Sequence, residues 1–122
     1  MKLLTKEQRE LLLKNGRDQQ KVKGTKAEKD FWPVVKLFNP AGAATWLLTE
    51  IDPEDEDVAW ALCDLGMGFP EFGTVSISEL QNFRGRFGLG IERDLHFEAK
   101  APISRYIGAA SEAGHIVEQV AP

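Results

Sequence analysis

The run Gly68–Glu98, GFPEFGTVSISELQNFRGRFGLGIERDLHFE, constrains the fold most. It holds a Gly/Pro turn, a short strand, a capped helix, a glycine-broken loop and a charged alternating segment. So many breaks in so few residues favour short mixed elements, an α+β pattern. Within it, TVSI reads as a strand with Val75 and Ile77 inward. Ser78 reads as the N-cap of a helix in which Leu80 and Phe83 share a face, and Glu79 suits the positive end of its dipole. Gly85 and Gly88 hold that helix to about two turns. DLHFE, Asp94 to Glu98, alternates as a strand would, with Leu95 and Phe97 on one face and Asp94, His96 and Glu98 on the other.

The rest of the chain supplies elements for this segment to pack on. Thr5-Lys6-Glu7-Gln8 is a capping box, and Leu11, Leu12 and Leu13 give the following helix an apolar stripe. Asn15-Gly16 reads as its stop, which predicts a helix over 5–15. Residues 16–31 are polar, basic and aperiodic and read as a connector. PVVKLFN, Pro33 to Asn39, reads as a strand, followed by the turn residues Asn39-Pro40-Ala41-Gly42. Ala44 to Ile51 and Val58 to Leu65 read as two more strands joined by the acidic turn DPEDED. Alternation puts Trp46, Leu48 and Glu50 on one face of the first, and Trp60, Leu62 and Asp64 on one face of the second. Trp46 and Trp60 are then expected to pair across the hairpin. Pro102 opens a last helix over 102–113, closed by Gly114. The expected architecture is one α+β domain over 1–122. A mainly antiparallel meander of three to five strands, with its short helix, fills 32–98 and packs with an N-terminal, a short middle and a C-terminal helix.

Charge is uneven along the chain. Residues 1–39 hold ten Lys/Arg and five Asp/Glu, whereas residues 40–122 hold five and fourteen, for a net charge of −4. A basic leader on an acidic body suggests pairing within the fold, or two surfaces for different partners. Cys63 is the one cysteine, so no internal disulfide forms, and it reads as a small core hydrophobe. No apolar run reaches the ~18 residues that span a membrane. The N-terminal residues lack the apolar core of a signal peptide, so the expectation is a cytoplasmic protein without a membrane role.

At TWLLTEIDPEDED, CDLGMGFPEFGTVSISEL and GLGIERDLHFEAKAPIS the chain resembles a family of short bacterial proteins of unknown function. The resemblance covers nearly the whole chain. Members are often encoded on plasmids, conjugative elements or other mobile DNA. Gly90 stands where the family pattern has proline, and Trp60-Ala61 where it has Phe-Gly. The resemblance implies a mobile-element accessory protein or small host-side domain, and it transfers no catalytic residues and no cofactor.

Four constellations remain. The acidic set Glu50, Asp52, Glu54, Asp55, Glu56, Asp57 and Asp64 offers hard oxygen ligands, and Glu50 with Asp64 is the pair a divalent cation would use if the hairpin brought them together. The favoured reading is a solvated acidic turn without metal. In Glu92-Arg93-Asp94 with His96 and Glu98, the favoured role is an Arg93 ion-pair network that locks the loop. Its functional alternative makes His96 a general base oriented by Asp94 or Glu98, or a metal ligand. Arg84-Gly85-Arg86-Phe87-Gly88 suggests phosphate or nucleic-acid contact, extended by Lys21, Lys23, Lys26 and Lys29, although a pI of about 5.2 argues against it. The aromatic residues read mainly as core. The leading expectation is a non-enzymatic accessory protein that binds a protein partner through an acidic face. The alternatives are a metal-assisted phosphodiester hydrolase using Glu50, Asp64, Asp94 and His96, and a nucleic-acid module using Arg84, Arg86 and the basic leader, with Arg93 as a further binding candidate.

Overall fold

The computed structural model describes residues 2–122. Helix α1 is Lys6–Gln20. Strands β1 (Val35–Phe38), β2 (Thr45–Ile51), β3 (Val58–Asp64) and β4 (Glu71–Ser76) follow, then α2 (Ile77–Asn82), a 3-10 turn Arg86–Gly88, β5 (Glu92–Arg93) and α3 (Ile103–Ala113). All pairings are antiparallel, in the order β4-β3-β2-β1-β5. Four strands form the expected meander. The fifth pairs with β1, so the chain after α2 crosses from one edge of the sheet to the other.

The sheet is apolar on both faces. Leu12 and Leu3 join Val35, Leu37, Trp46, Leu48, Ile51, Ala59 and Ala61 in one core. Leu47 and Leu62 pack with Tyr106, Ile103 and Ala110 of α3 in the other. Each fully buried Leu or Ile contributes about 1.5–3 kcal/mol by leaving water. The Tyr106 hydroxyl, inside the second core, accepts from the Lys100 amide at 2.8 Å, so its polar tip is satisfied.

Helix α1 starts as the sequence predicts, because the Thr5 hydroxyl accepts from the Gln8 amide and the Gln8 side chain from the Thr5 amide, each at 3.0 Å. It does not stop at Asn15-Gly16. Asn15 is buried and its amide donates to the Thr49 carbonyl at 2.9 Å. A Cβ on Gly16 would lie 1.8 Å from the Ile51 carbonyl oxygen. The glycine is there so that helix backbone can touch strand backbone, and the helix continues for another turn. Gln19 then holds Lys29 by both backbone groups, at 2.8 and 2.9 Å, and folds the connector back.

Two faces differ from the alternation pattern. Leu48 faces Ala61 but Glu50 faces Trp60, so Thr49 is an extra residue, a β-bulge. The bulge returns Ile51 to the core of Trp46 and Leu48 and sets Glu50 opposite Trp60. Trp46 faces Cys63, so the two tryptophans do not pair; Trp60 stacks instead on Phe72 at 5.9 Å between ring centroids. Helix α2 is capped by Ser76, whose hydroxyl accepts from the Glu79 amide, rather than by Ser78. Ser78 lies in the first turn, held by Asp57.

Candidate functional site

Most of the charged residues singled out in the sequence turn out to hold the chain together. Asp94–Glu98 is a turn, because β5 ends at Arg93 and the Asp94 carboxylate accepts from the His96 amide at 2.9 Å. Asp94, His96 and Glu98 therefore do not line one face of a strand. The second Asp94 oxygen pairs with Lys36 at 3.3 Å, and Lys36 also reaches Glu118 at 3.0 Å. The His96 amide, then Lys36, hold the Asp94 carboxyl below its ordinary range. Burial pulls the Lys36 ammonium down, but Glu118 and Asp94 outweigh it and raise the group overall. Glu98 points away to Lys100 at 3.4 Å, and the His96 ring is exposed.

Arg93 makes no pair with its acidic neighbours. Its guanidinium donates to the Lys2 and Leu3 carbonyls at 3.2 and 2.7 Å, so it ties down the N-terminal segment instead of the loop. Arg84 donates to the Gln81 and Phe83 carbonyls and closes the end of α2. Arg86 lies 5.5 Å from the ring centroid of Phe87. Phe87 is 84% exposed and has a φ of 62°, a backbone conformation that bulky residues rarely adopt.

Glu50 and Asp64 lie toward opposite ends of the central hairpin. Asp64 faces Thr45, five residues from Glu50 along β2, about 17 Å at the usual strand rise. Asp64 is also fully engaged, accepting from the Gly66 amide at 2.8 Å and the Ile116 amide at 2.9 Å. It pins the C-terminal segment to the sheet. Asp64→Asn, which loses one acceptor, is expected to cost about 1–2 kcal/mol and to speed amide exchange at Ile116 or Gly66. Hydrogen exchange on both proteins checks this. Among the described residues no group of three or more His, Cys, Asp or Glu is placed to hold a metal ion.

The acidic turn is similarly committed. Asp52 accepts from the Glu54 amide and Asp55 from the Asp57 amide, which closes the turn. Asp57 accepts from the Ser76 hydroxyl and from Ser78, and these bonds hold its carboxyl below the ordinary range. Glu56 pairs with Arg9 at 3.3 Å.

Two places are not explained by the fold. The first is a cleft of about 140 Å³ between the end of α1 and the start of the acidic turn, lined by Gly16, Lys23, Glu50, Asp52, Glu54 and Trp60 among others. Glu50 is only 7% exposed there. Desolvation pushes its carboxyl up to about 7; Lys23 opposes this, while Glu28 and Asp52 add to it. Among the described residues, no hydrogen bond or ion pair reaches that carboxylate. The Lys23 ammonium lies instead 4.4 Å from the Trp60 ring centroid.

The second place is the β3–β4 turn. Leu65, Met67 and Phe69 are 56%, 69% and 82% exposed. With Cys63 and Glu71 they line an apolar groove of about 270 Å³. Burial, with Glu71 beside it, pushes the Cys63 thiol up to about 11, so it is an apolar wall rather than a nucleophile. Phe69 is thus at the surface and not in the core expected of the aromatic residues, although LGMGFP, three large apolar side chains in a glycine-rich turn, carried that signal in the sequence. The Glu50 cleft had no such signal, because the bulge that builds it is not visible in the alternation.

The fold and these sites define a small α+β domain whose five-stranded sheet is covered on both faces, with an acidic cleft at one end and an apolar turn at the other. The chain belongs to a family described as a protein of unknown function, DUF2958, whose model matches residues 3–117. No curated protein and no solved structure matches it. Among the described residues no helix is long and apolar enough to cross a membrane.

Proposed function

We propose that the protein is a non-enzymatic accessory module that binds a protein partner through the β3–β4 turn. The observation that carries this is the run of Leu65, Met67 and Phe69, three large apolar side chains more than half exposed around one groove. Leaving them in water has no structural benefit, and contiguous exposed apolar surface is what partner sites use. The partner segment is apolar with a basic residue, because the Glu71 carboxylate in the groove wall has no ion pair of its own among the described residues. The adjoining strand β4 is an outer strand, which leaves its free edge beside the same groove. The charge balance of the sequence suggested an acidic face, but Asp52, Asp55, Asp57 and Glu56 are used within the fold. The acidic contribution to binding thus narrows to Glu71. In the mobile-DNA setting that the family resemblance implies, the partner is a protein of the same element or of its host.

A photo-crosslinking side chain at position 69, used in cells, tests this. The expected result is one crosslinked protein, lost in a Met67→Glu background and retained with Glu54→Gln. Crosslinking from position 54 but not from 69 would move the site back to the acidic turn. Absence of a specific product at 69 would leave the apolar turn without a partner role.

A further inference from the structure

We propose that the cleft at the other end of the sheet binds an alkylammonium or guanidinium group, and that Lys23 is its built-in stand-in. Three observations meet there. Glu50 is 7% exposed, only its carboxylate edge meets the cleft, and that edge receives no hydrogen bond or ion pair among the described residues. A buried carboxylate without donors is costly, and the group that relieves it is a cation carrying N–H donors. Trp60 presents its indole face to the same cleft, and an ammonium already lies 4.4 Å from its centroid. That distance is within the range at which the ring quadrupole attracts a cation. Asp52 and Glu54 complete the rim with further negative charge.

The chemistry selects an organic cation over a metal ion. The carboxylates do not converge as a ligand set among the described residues. An aromatic wall suits a weakly hydrated ammonium or guanidinium better than a strongly hydrated divalent ion. The cleft's volume of about 140 Å³ suits the head of one such group rather than a large ligand. Lys23 comes from the exposed segment after α1 and pairs with the ring, not with Glu50. It therefore occupies the aromatic half of the site and leaves the carboxylate half open. A ligand cation would displace Lys23 from the ring and reach Glu50 as well.

The groups that govern this binding with pH are Glu50, Lys23, Glu28, Asp52 and Glu54. Only the ionised Glu50 attracts a cation, so binding strengthens as pH rises through neutrality. The same cation could come from a free diamine or from a lysine side chain, and two probes separate these sources.

Putrescine and Nα-acetyl-lysine methylamide are titrated separately into ¹⁵N-labelled protein, following the Trp60 indole N–H, which is assigned by its loss in Trp60→Phe. The expected result is a saturable shift for at least one probe, with the tighter probe naming the source. Lys23→Ala is expected to tighten it about fivefold by freeing the ring. Glu50→Gln is expected to weaken it about tenfold or more and to remove the pH dependence. No saturable Trp60 shift with either probe in the Lys23→Ala protein, or equal affinity in Glu50→Gln, overturns the proposal. Neither outcome bears on the β3–β4 turn, which lies at the far end of the sheet.

Discussion

Gly16→Ala is expected to lower the melting temperature by about 10 °C or more. The added methyl carbon would sit 1.8 Å from the Ile51 carbonyl oxygen and 2.9 Å from its carbon, both backbone atoms. A flexible side chain could turn aside, but here helix and strand must separate. Overpacking of this kind costs about 1–3 kcal/mol where side chains yield, and about 3 kcal/mol or more is expected where only backbone can move. Separation would also stretch the bond from Asn15 to the Thr49 carbonyl and expose part of the core around Leu12 and Ile51. For a domain of this size about 3–4 °C accompanies each kcal/mol. Gly108→Ala is the control. It lies on the exposed face of α3 with nothing within 4 Å of the new carbon, and is expected to raise stability by about 0.5–1 kcal/mol. Calorimetry on both variants checks the contrast, and equal melting temperatures would mean that the close approach of α1 to β2 does not matter.

The same glycine shows where reading the sequence succeeds and fails. The sheet was legible because Val35 and Leu37, Leu47, Leu48 and Ile51, and Ala59, Ala61 and Leu62 sit in short apolar runs punctuated by turn residues. The α1 cap was legible because a capping box is a local device, complete within four residues. The second half of α1 was not, because Asn15, Gly16 and Gln19 dock through polar and backbone contacts with β2 and the connector. Those partners are remote in sequence, so Asn-Gly read as a stop. The bulge at Thr49 leaves no local mark either. It moved Glu50 off the face of Trp46 and Leu48, where strict alternation assigns it, and set it opposite Trp60. Asp94–Glu98 failed in the opposite way: its alternation was real, but the Asp94 carboxylate captured the His96 amide and made a turn of it. The charges proposed for catalysis were thus visible as residues and invisible as contacts. Arg93, Asp94 and Asp64 each hold a distant piece of chain.

Glu50 makes the second large prediction, a loss of stability as pH rises through the neutral range. Its carboxyl titrates at an ordinary 4.5 when unfolded and near 7 in the fold, chiefly because burial disfavours the charge. Between these values the folded protein holds a proton that the unfolded chain has released. Unfolding then releases protons, so stability falls from about pH 4.5 to 7 and levels off above. At about 1.4 kcal/mol per pH unit the full gap corresponds to about 3 kcal/mol, and water in the cleft reduces this to about 2 kcal/mol. Glu50→Gln keeps the shape without the charge. It is expected to match the parent at pH 5 and to exceed it by about 2 kcal/mol at pH 8. The carboxyls of Asp57 and Asp94 are held below their ordinary range, so their contribution is lost only as pH falls below about 4 and does not mask the Glu50 limb. Urea unfolding of both proteins at pH 5, 6.5 and 8 reads the difference directly. A parent curve that is flat over this range, with no gain from Gln, would show that Glu50 ionises as freely in the fold as in water. A parent curve that falls but recovers at pH 8 when an alkylammonium is added, with no recovery in Glu50→Gln, would tie the cost of that buried charge to the cation it is shaped to receive.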